Sequence, residues 1–410
     1  MLRKWLAPLV LLSSLLFVAC QPVAVAPVAT PASPGTGTTA APTANLADGC
    51  VTTYDAAVDY FPEKTKPTYT DGFSVEYHNN YKVVTVKTPW QGAKEPLQYA
   101  LVQCGTPAPT AFKKEQIIEV PVKRFVSMST TYLPFLDELN LLDRLVGLDD
   151  ATYVNNEKVA KLAADGKLKM IGFGAKVNVE QALDLNPDLI MTYAMGAADS
   201  DAHPLLIEAG LKVVVNAEWL DTSPLGRAEW GKFLALFFKR EVAADAMFAK
   251  TATAYEKLVA QAATVKTKPT VFTDTDYQGT WYVAGGQSFG AHFLADAGAT
   301  YLWADDTSSG SSPLAFEAVF DKAKDADVWL NTGFLSSLND LKAADARYAD
   351  FAAFKQGNVW NNNVRANANG GNDYYESAIA HPDVVLADLI KILHPELLPD
   401  HKLVYYQQLK

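Results

Sequence analysis

Two distant stretches of this chain are built alike, and any fold must accommodate both. Val179-Glu180-Gln181-Ala182-Leu183-Asp184 leads through Asn186-Pro187 into Asp188-Leu189-Ile190-Met191-Thr192. Phe316-Glu317-Ala318-Val319-Phe320-Asp321 leads through Lys324-Asp325 into Asp327-Val328-Trp329-Leu330-Asn331-Thr332. Each reads as a short helix with a glutamate in its first turn, followed by a buried strand. Duplicated helix–strand units predict two similar lobes, and two lobes suggest a ligand held between them. A first-turn glutamate ordinarily does no more than favour the positive end of its own helix. Its recurrence at matching positions presents two carboxylates from equivalent surfaces, as docking onto a basic partner would require.

The surrounding sequence alternates strand and helix signals. Strands are expected at 124–128, 145–148, 188–191 and 212–215, with helices over 132–140, 179–185 and 205–209. After residue 267 the pattern repeats, with strands at 270–272, 281–283 and 327–330 and helices over 292–297 and 316–323. Such alternation predicts an α/β fold with mostly parallel sheets. Between the two sets, Trp230, Phe233, Leu234, Phe237, Phe248, Tyr255 and Val259 recur at helix-face spacing. The expected organisation is an α/β lobe over 111–222, one long helix over 223–266, and a second α/β lobe over 267–410.

The first 110 residues read differently. Arg3 and Lys4 precede a nearly unbroken apolar run that ends at Ala19-Cys20. The run is shorter than the ~18 residues a membrane span needs, so it reads as an export signal. A small residue followed by cysteine resembles a lipoprotein signal (1–19), which implies a lipid on Cys20 and anchoring to a bacterial membrane from the extracytoplasmic side. The Pro-, Ala- and Thr-rich segment 20–49 reads as a tether. Removing residues 1–19 takes away two basic and no acidic side chains from a chain of net charge -11, leaving -13. A nucleic-acid partner is therefore not expected. With Cys20 given to lipid, Cys50 and Cys104 remain as a pair in an oxidising compartment, and a disulfide is expected. The segment 50–110 reads as a small β-rich unit whose best strands, 81–88 and 97–104, form a hairpin-like pair. It is too small to bury a core alone and should pack on the main body.

From about Val122 onward the chain resembles the substrate-binding proteins of ABC importers for iron complexes and vitamin B12. The resemblance rests on Lys123-Arg124-Phe125-Val126-Ser127-Met128-Ser129, Asp143-Arg144-Leu145-Val146-Gly147-Leu148, Ile171-Gly172-Phe173-Gly174, Val179-Glu180 through Asn186-Pro187-Asp188-Leu189-Ile190, and Trp281-Tyr282-Val283-Ala284-Gly285-Gly286. It implies two lobes bridged by a rigid helix, the class III periplasmic binding protein type. It also implies a monomer that takes a small-molecule metal chelate in the cleft and hands it to a membrane permease. By motif, the permease-docking glutamates would be Glu180 and Glu317, and the ligand would be a ferric, siderophore-like complex, with haem or cobalamin as alternatives.

In α/β lobes ligands gather at the carboxyl ends of strands. Those ends offer Tyr132, Tyr193, Trp219, Tyr277 and Trp281, and the Asn- and Gly-rich loop over 361–375 adds Arg365, Tyr374 and Tyr375. Aromatic faces suit a large planar or aromatic ligand, and an arginine suits an anionic chelate. The six histidines show no close ligand pair, so a bare metal site is not expected. One motif points to another class: Gly286-Gln287-Ser288-Phe289-Gly290 fits G-x-S-x-G between a strand and a helix, which would make Ser288 a hydrolase nucleophile. No HGGG-like segment precedes it, and hydrolysis would leave the two-lobe repeat unexplained.

Overall fold

The computed structural model describes residues 42–410. The signal segment, Cys20 and the tether up to residue 41 lie outside the described residues.

The first described unit is a four-stranded sheet of β1 (Phe73–Tyr77), β2 (Tyr81–Val86), β3 (Leu97–Gln103) and β4 (Ile117–Val120) in that spatial order. β2 and β3 form the expected antiparallel pair, from Tyr81 opposite Val102 to Val86 opposite Leu97. β4 joins β3 in parallel, so the unit runs past residue 110 to Val120. Cys50 and Cys104 are disulfide-bonded across a separation of 54 residues. The tether also ends earlier than residue 49: Asn45 is buried and its side chain donates to Glu63 O and to Glu241 Oε2.

This small sheet shares a core with the lobe that follows it. Phe73, Val84, Val86, Tyr99 and Leu101 are buried together with Phe125, Leu136, Trp230 and Phe233. A Cβ on Gly72 would lie 2.6 Å from the Trp230 ring, so the absence of a side chain there is what lets strand and indole close up.

The first lobe is built on a parallel sheet, β5 (Phe125–Ser127), β6 (Leu145–Leu148), β7 (Lys169–Met170), β8 (Leu189–Thr192) and β9 (Val213–Val215), ordered β7-β6-β5-β8-β9. Its central strands are buried on both faces, which is why they read as unbroken apolar runs. The second lobe carries β10 (Thr270–Thr273), β13 (Thr300–Tyr301), β15 (Val328–Leu330), β16 (Val359–Asn361) and β17 (Gln407–Gln408), ordered β13-β10-β15-β16-β17 and parallel except for β17. A three-stranded antiparallel sheet, β11 (Asp276–Tyr277), β12 (Thr280–Ala284) and β14 (Ser311–Leu314), stands beside it. The repeated helices are Val179–Asp184 and Phe316–Ala323, each leading into a buried strand at the same place in its lobe.

The single bridging helix expected over 223–266 is two helices, Pro224–Phe238 and Glu241–Ala262. The break is at Lys239, whose backbone is left-handed (φ 56°) and whose amine is buried, donating to Tyr60 O at 3.0 Å and to Gln103 Oε1. The small sheet thus supplies the acceptors that hold the turn. Both helices cross both cores. Leu225 and Ala228 pack in the second lobe and Phe233 to Phe238 in the first; Ala244 packs in the first, then Phe248, Ala252 and Tyr255 in the second.

Candidate functional site

The carboxyl ends of the parallel strands converge on a cleft with two chambers. The larger, about 650 Å³, has Thr130 and Tyr153 of the first lobe on one side and Phe334, Asn362, Asn372 and Tyr375 of the second on the other. The smaller, about 380 Å³, reaches into the second lobe between Asp274, Tyr277, Tyr282, Asn331 and Tyr374. The two share Gly333, Asn362 and Tyr375 as walls.

Backbone strain collects here. Asp274 follows β10 with φ 70°, Asn331 follows β15 with φ 60°, and Gly333 has φ 66°. Residues with side chains held in the left-handed region mark places where the fold over-determines a local geometry. The turn after β15 leaves Phe334 94% exposed on the wall of the larger chamber. Tyr153, Tyr277, Tyr282 and Tyr375 are also exposed. Large apolar surfaces left in water around a concavity are the usual mark of a binding site. One buried amide atom, Asn331 Oδ1, has no hydrogen-bond partner among the described residues. An atom of this kind favours a ligand that completes it.

The residues expected from sequence divide sharply. Tyr277, Tyr374 and Tyr375 line the cleft; Tyr374 packs edge-on against Tyr375 with ring centroids 5.2 Å apart and against Tyr406 at 5.8 Å. Trp281 does not belong there. Alternation along β12 turns it into the core at 0% exposure, where its Nε1 donates to Thr273 O, while Tyr282 beside it faces the chamber. Tyr132 is likewise buried, at 1%. Burial, with Glu218, Asp149 and Tyr193 nearby, pushes its hydroxyl far up. Tyr193 and Trp219 are half-buried and line neither chamber. Arg365 lines neither chamber; its Nε lies 2.8 Å from Asp373 Oδ2 and its guanidinium over the Tyr405 ring. Tyr153, Tyr282, Phe334 and Asp274 were missed. For Phe334 and Asp274 the strand-end rule would have served, had it been carried past Thr332 and Thr273.

Ser288 is no nucleophile. It is buried and caps the helix Phe289–Asp296, its Oγ accepting from Ala291 N at 3.2 Å. The glycines beside it serve close approach: a Cβ on Gly285 would come within 2.3 Å of Ser308 O.

The lobes are latched on one side of the cleft. Glu376, from the second lobe, accepts from the backbone N–H of Asn155 at 2.8 Å and of Asn156 at 2.6 Å in the first. His381 Nε2 lies 2.7 Å from Glu138 Oε1, and Asn367 Nδ2 donates to Val154 O at 3.2 Å. Burial pushes Glu376 up to about 7, against the two N–H donors; Asp373 nearby adds to the rise and Arg365 opposes it. A carboxyl with a raised folded-state pKa contributes stability below its ordinary value near 4.5 and loses it as pH rises through about 7. The difference corresponds to roughly 3 kcal/mol. Glu376→Gln should therefore flatten the decline in the urea midpoint between pH 4.5 and 8. Parallel pH profiles for the two proteins would show that Glu376 does not titrate in this way.

Of the paired glutamates, Glu180 and Glu317 are both exposed in the first turns of their helices. Glu317 shares its carboxylate with Arg347 at 3.2 Å, and that guanidinium lies over the Phe316 ring at 3.7 Å.

A two-lobed body with an open aromatic cleft and a double bridging helix has known counterparts, and the family profile described as Periplasmic binding protein matches residues 126–362. The chain belongs to the periplasmic binding protein family. It is a solute-binding protein, not an enzyme, with a place outside the cytoplasm. The matched span contains both copies of the internal repeat and ends at Asn362 in the cleft wall.

An uncharacterized lipoprotein of Methanocaldococcus jannaschii is 27% identical over 308 residues, covering 71% of this chain and 70% of that protein. In fold, the periplasmic binding protein resembles a possible iron-binding (periplasmic solute-binding) protein from Staphylococcus epidermidis, with TM-score 0.52, 20% identity and coverage of 66% of this chain and 98% of the other. It also resembles a periplasmic heme binding protein from Pseudomonas aeruginosa, with TM-score 0.52, 19% identity and coverage of 70% and 98%.

Proposed function

We propose that this periplasmic binding protein is a lipoprotein, anchored through Cys20, that captures a ferric, siderophore-like complex in the cleft and delivers it to an ABC importer permease. The observation that carries this reading is the two-chambered cleft, whose exposed aromatic walls are of a size and character to hold a bulky chelate. Iron in the name of the staphylococcal relative supports the choice of metal. The ligand contacts are assigned to Tyr277, Tyr374 and Tyr375, joined by Tyr153, Tyr282 and Phe334. Glu180 and Glu317 are assigned to permease docking, being exposed carboxylates at equivalent places in the two lobes. The anchor and tether would hold the receptor near its permease and raise the effective concentration for docking.

The absorbance spectrum and mass of the molecule that co-purifies with the protein test the ligand, and a corrinoid or porphyrin chromophore would refute the siderophore assignment. For docking, Glu180→Ala with Glu317→Ala should leave ligand affinity unchanged while cutting uptake roughly tenfold or more in cells. Collapse of ligand affinity in the double variant would show that the glutamates serve the cleft instead.

A further inference from the structure

The charge of the cleft says what kind of complex it takes. Among the described residues, no lysine, arginine or histidine lines either chamber, and the one carboxylate that does is Asp274. Thr273 Oγ1 donates to that carboxylate at 2.6 Å, and burial pushes it up to about 6, so it is largely ionised at neutral pH. Arg227, whose guanidinium lies 3.9 Å from the centroid of Phe289 on the smaller chamber's wall, is not itself among the residues that line either chamber. Its Nη2 donates to Trp219 O at 2.8 Å and to Asp221 O at 3.0 Å, and the carboxylates of Glu218 and Asp221 face it. Arg365 is held by Asp373. A polyanion entering this space would lose its hydration with no cationic side chain on either wall to replace it, and would meet a like charge at Asp274.

What the walls do offer is amide and aromatic surface. Asn331 Oδ1, an acceptor, is buried without a partner, the Asn362 amide, a donor, lies against the Tyr375 hydroxyl, and Asn372 lines the larger chamber. A primary amide or peptide group on the ligand can supply the N–H that Asn331 Oδ1 lacks. We infer that the cleft selects an uncharged, amide-bearing metal complex and discriminates against polyanionic chelates by leaving them unpaired. This deepens the proposed function and rests on its reading of the cleft as the ligand site. It also reverses the expectation of an anionic chelate held by Arg365.

Isothermal titration of the lipid-free protein with three probes tests it: a cyclic-peptide ferric trihydroxamate (uncharged), a ferric tris-catecholate (trianion) and cyanocobalamin (uncharged, with peripheral amides). At least one uncharged probe should bind about 100-fold more tightly than the trianion. Ala368→Lys places a cation at an exposed position on the larger chamber's wall that is not among the assigned ligand contacts, and should raise the affinity for the trianion about tenfold while leaving the uncharged probes unchanged. A trianion that binds wild type as tightly as the best uncharged probe overturns the inference and leaves the iron reading intact. Binding of cyanocobalamin with neither iron complex bound overturns the iron reading and leaves the inference standing. Equal response of charged and uncharged probes to Ala368→Lys removes the electrostatic explanation.

Discussion

Glu241→Ala is expected to destabilise the protein by about 5 kcal/mol, read as a lower urea midpoint, because it strands two buried lysines. Lys82 and Glu241 form an ion pair at 0% side-chain exposure, and Asn45 Nδ2 donates to the other carboxylate oxygen at 2.9 Å. Lys239 shares the site, its amine 4.5 Å from the Phe61 ring centroid opposite Lys82 at 5.0 Å. Burial, and then the charge of Lys82, bring Lys239 down to about 7. Without Glu241 the remaining cations must ionise uncompensated or stay neutral, and either is costly. Replacing the pair together, Lys82→Met with Glu241→Met, should recover most of the loss, since an apolar pair of similar volume avoids the desolvation cost. A single variant within 1 kcal/mol of wild type, on the order of an exposed pair, would mean that this cluster is hydrated rather than buried.

Glu229→Ala should cost a comparable amount, about 5 kcal/mol, by a different route. Its carboxylate, 0% exposed on the helix Pro224–Phe238, accepts from the backbone N–H groups of Thr68 at 2.9 Å, Tyr69 at 2.7 Å and Thr70 at 3.0 Å, and pairs with Lys232 at 3.0 Å. Burial alone would raise its pKa, but these donors outweigh it and hold the carboxyl below the ordinary range. The stabilisation is therefore present above about pH 4.5 and lost as pH falls through the depressed value. Loss of the acceptor should free the 68–70 segment first, so amide hydrogen exchange there should accelerate more than in β5 or β8. Uniform acceleration across the chain would point to global unfolding and against a local clamp.

These two clusters explain why the small N-terminal sheet could not be understood from its own residues. Lys82 stands at an inward position of β2, among Val84 and Val86, and looks like an error of patterning until Glu241 is placed beneath it. Glu229 looks like a surface residue in a helix that also carries Arg227 and Lys232. Partners more than a hundred residues away decide both, and local periodicity carries no information about them.

The cleft was legible in part. Helix-to-strand order, strand-end positions and the Asn-rich loop over 361–375 located its walls, because these follow from backbone topology. Which aromatic faced the ligand did not follow. Trp281 and Tyr282 are adjacent, and a shift of one residue in register exchanges core for cleft. Arg365 was read as free because its partner, Asp373, is joined to it by a turn that propensity does not specify.

The sequence by itself determined the two α/β lobes, the equivalent glutamates and the cysteine pair, since these depend on local pattern, repetition and count. Only the tertiary structure decided that the bridge is two helices broken at Lys239, that the small sheet is clamped by buried carboxylates, and that among the described residues no cationic side chain lines either chamber of the cleft. The first two are pairings between residues distant along the chain, the third depends on which faces the folded strands and loops turn toward the cleft, and all three exist only once the chain has folded.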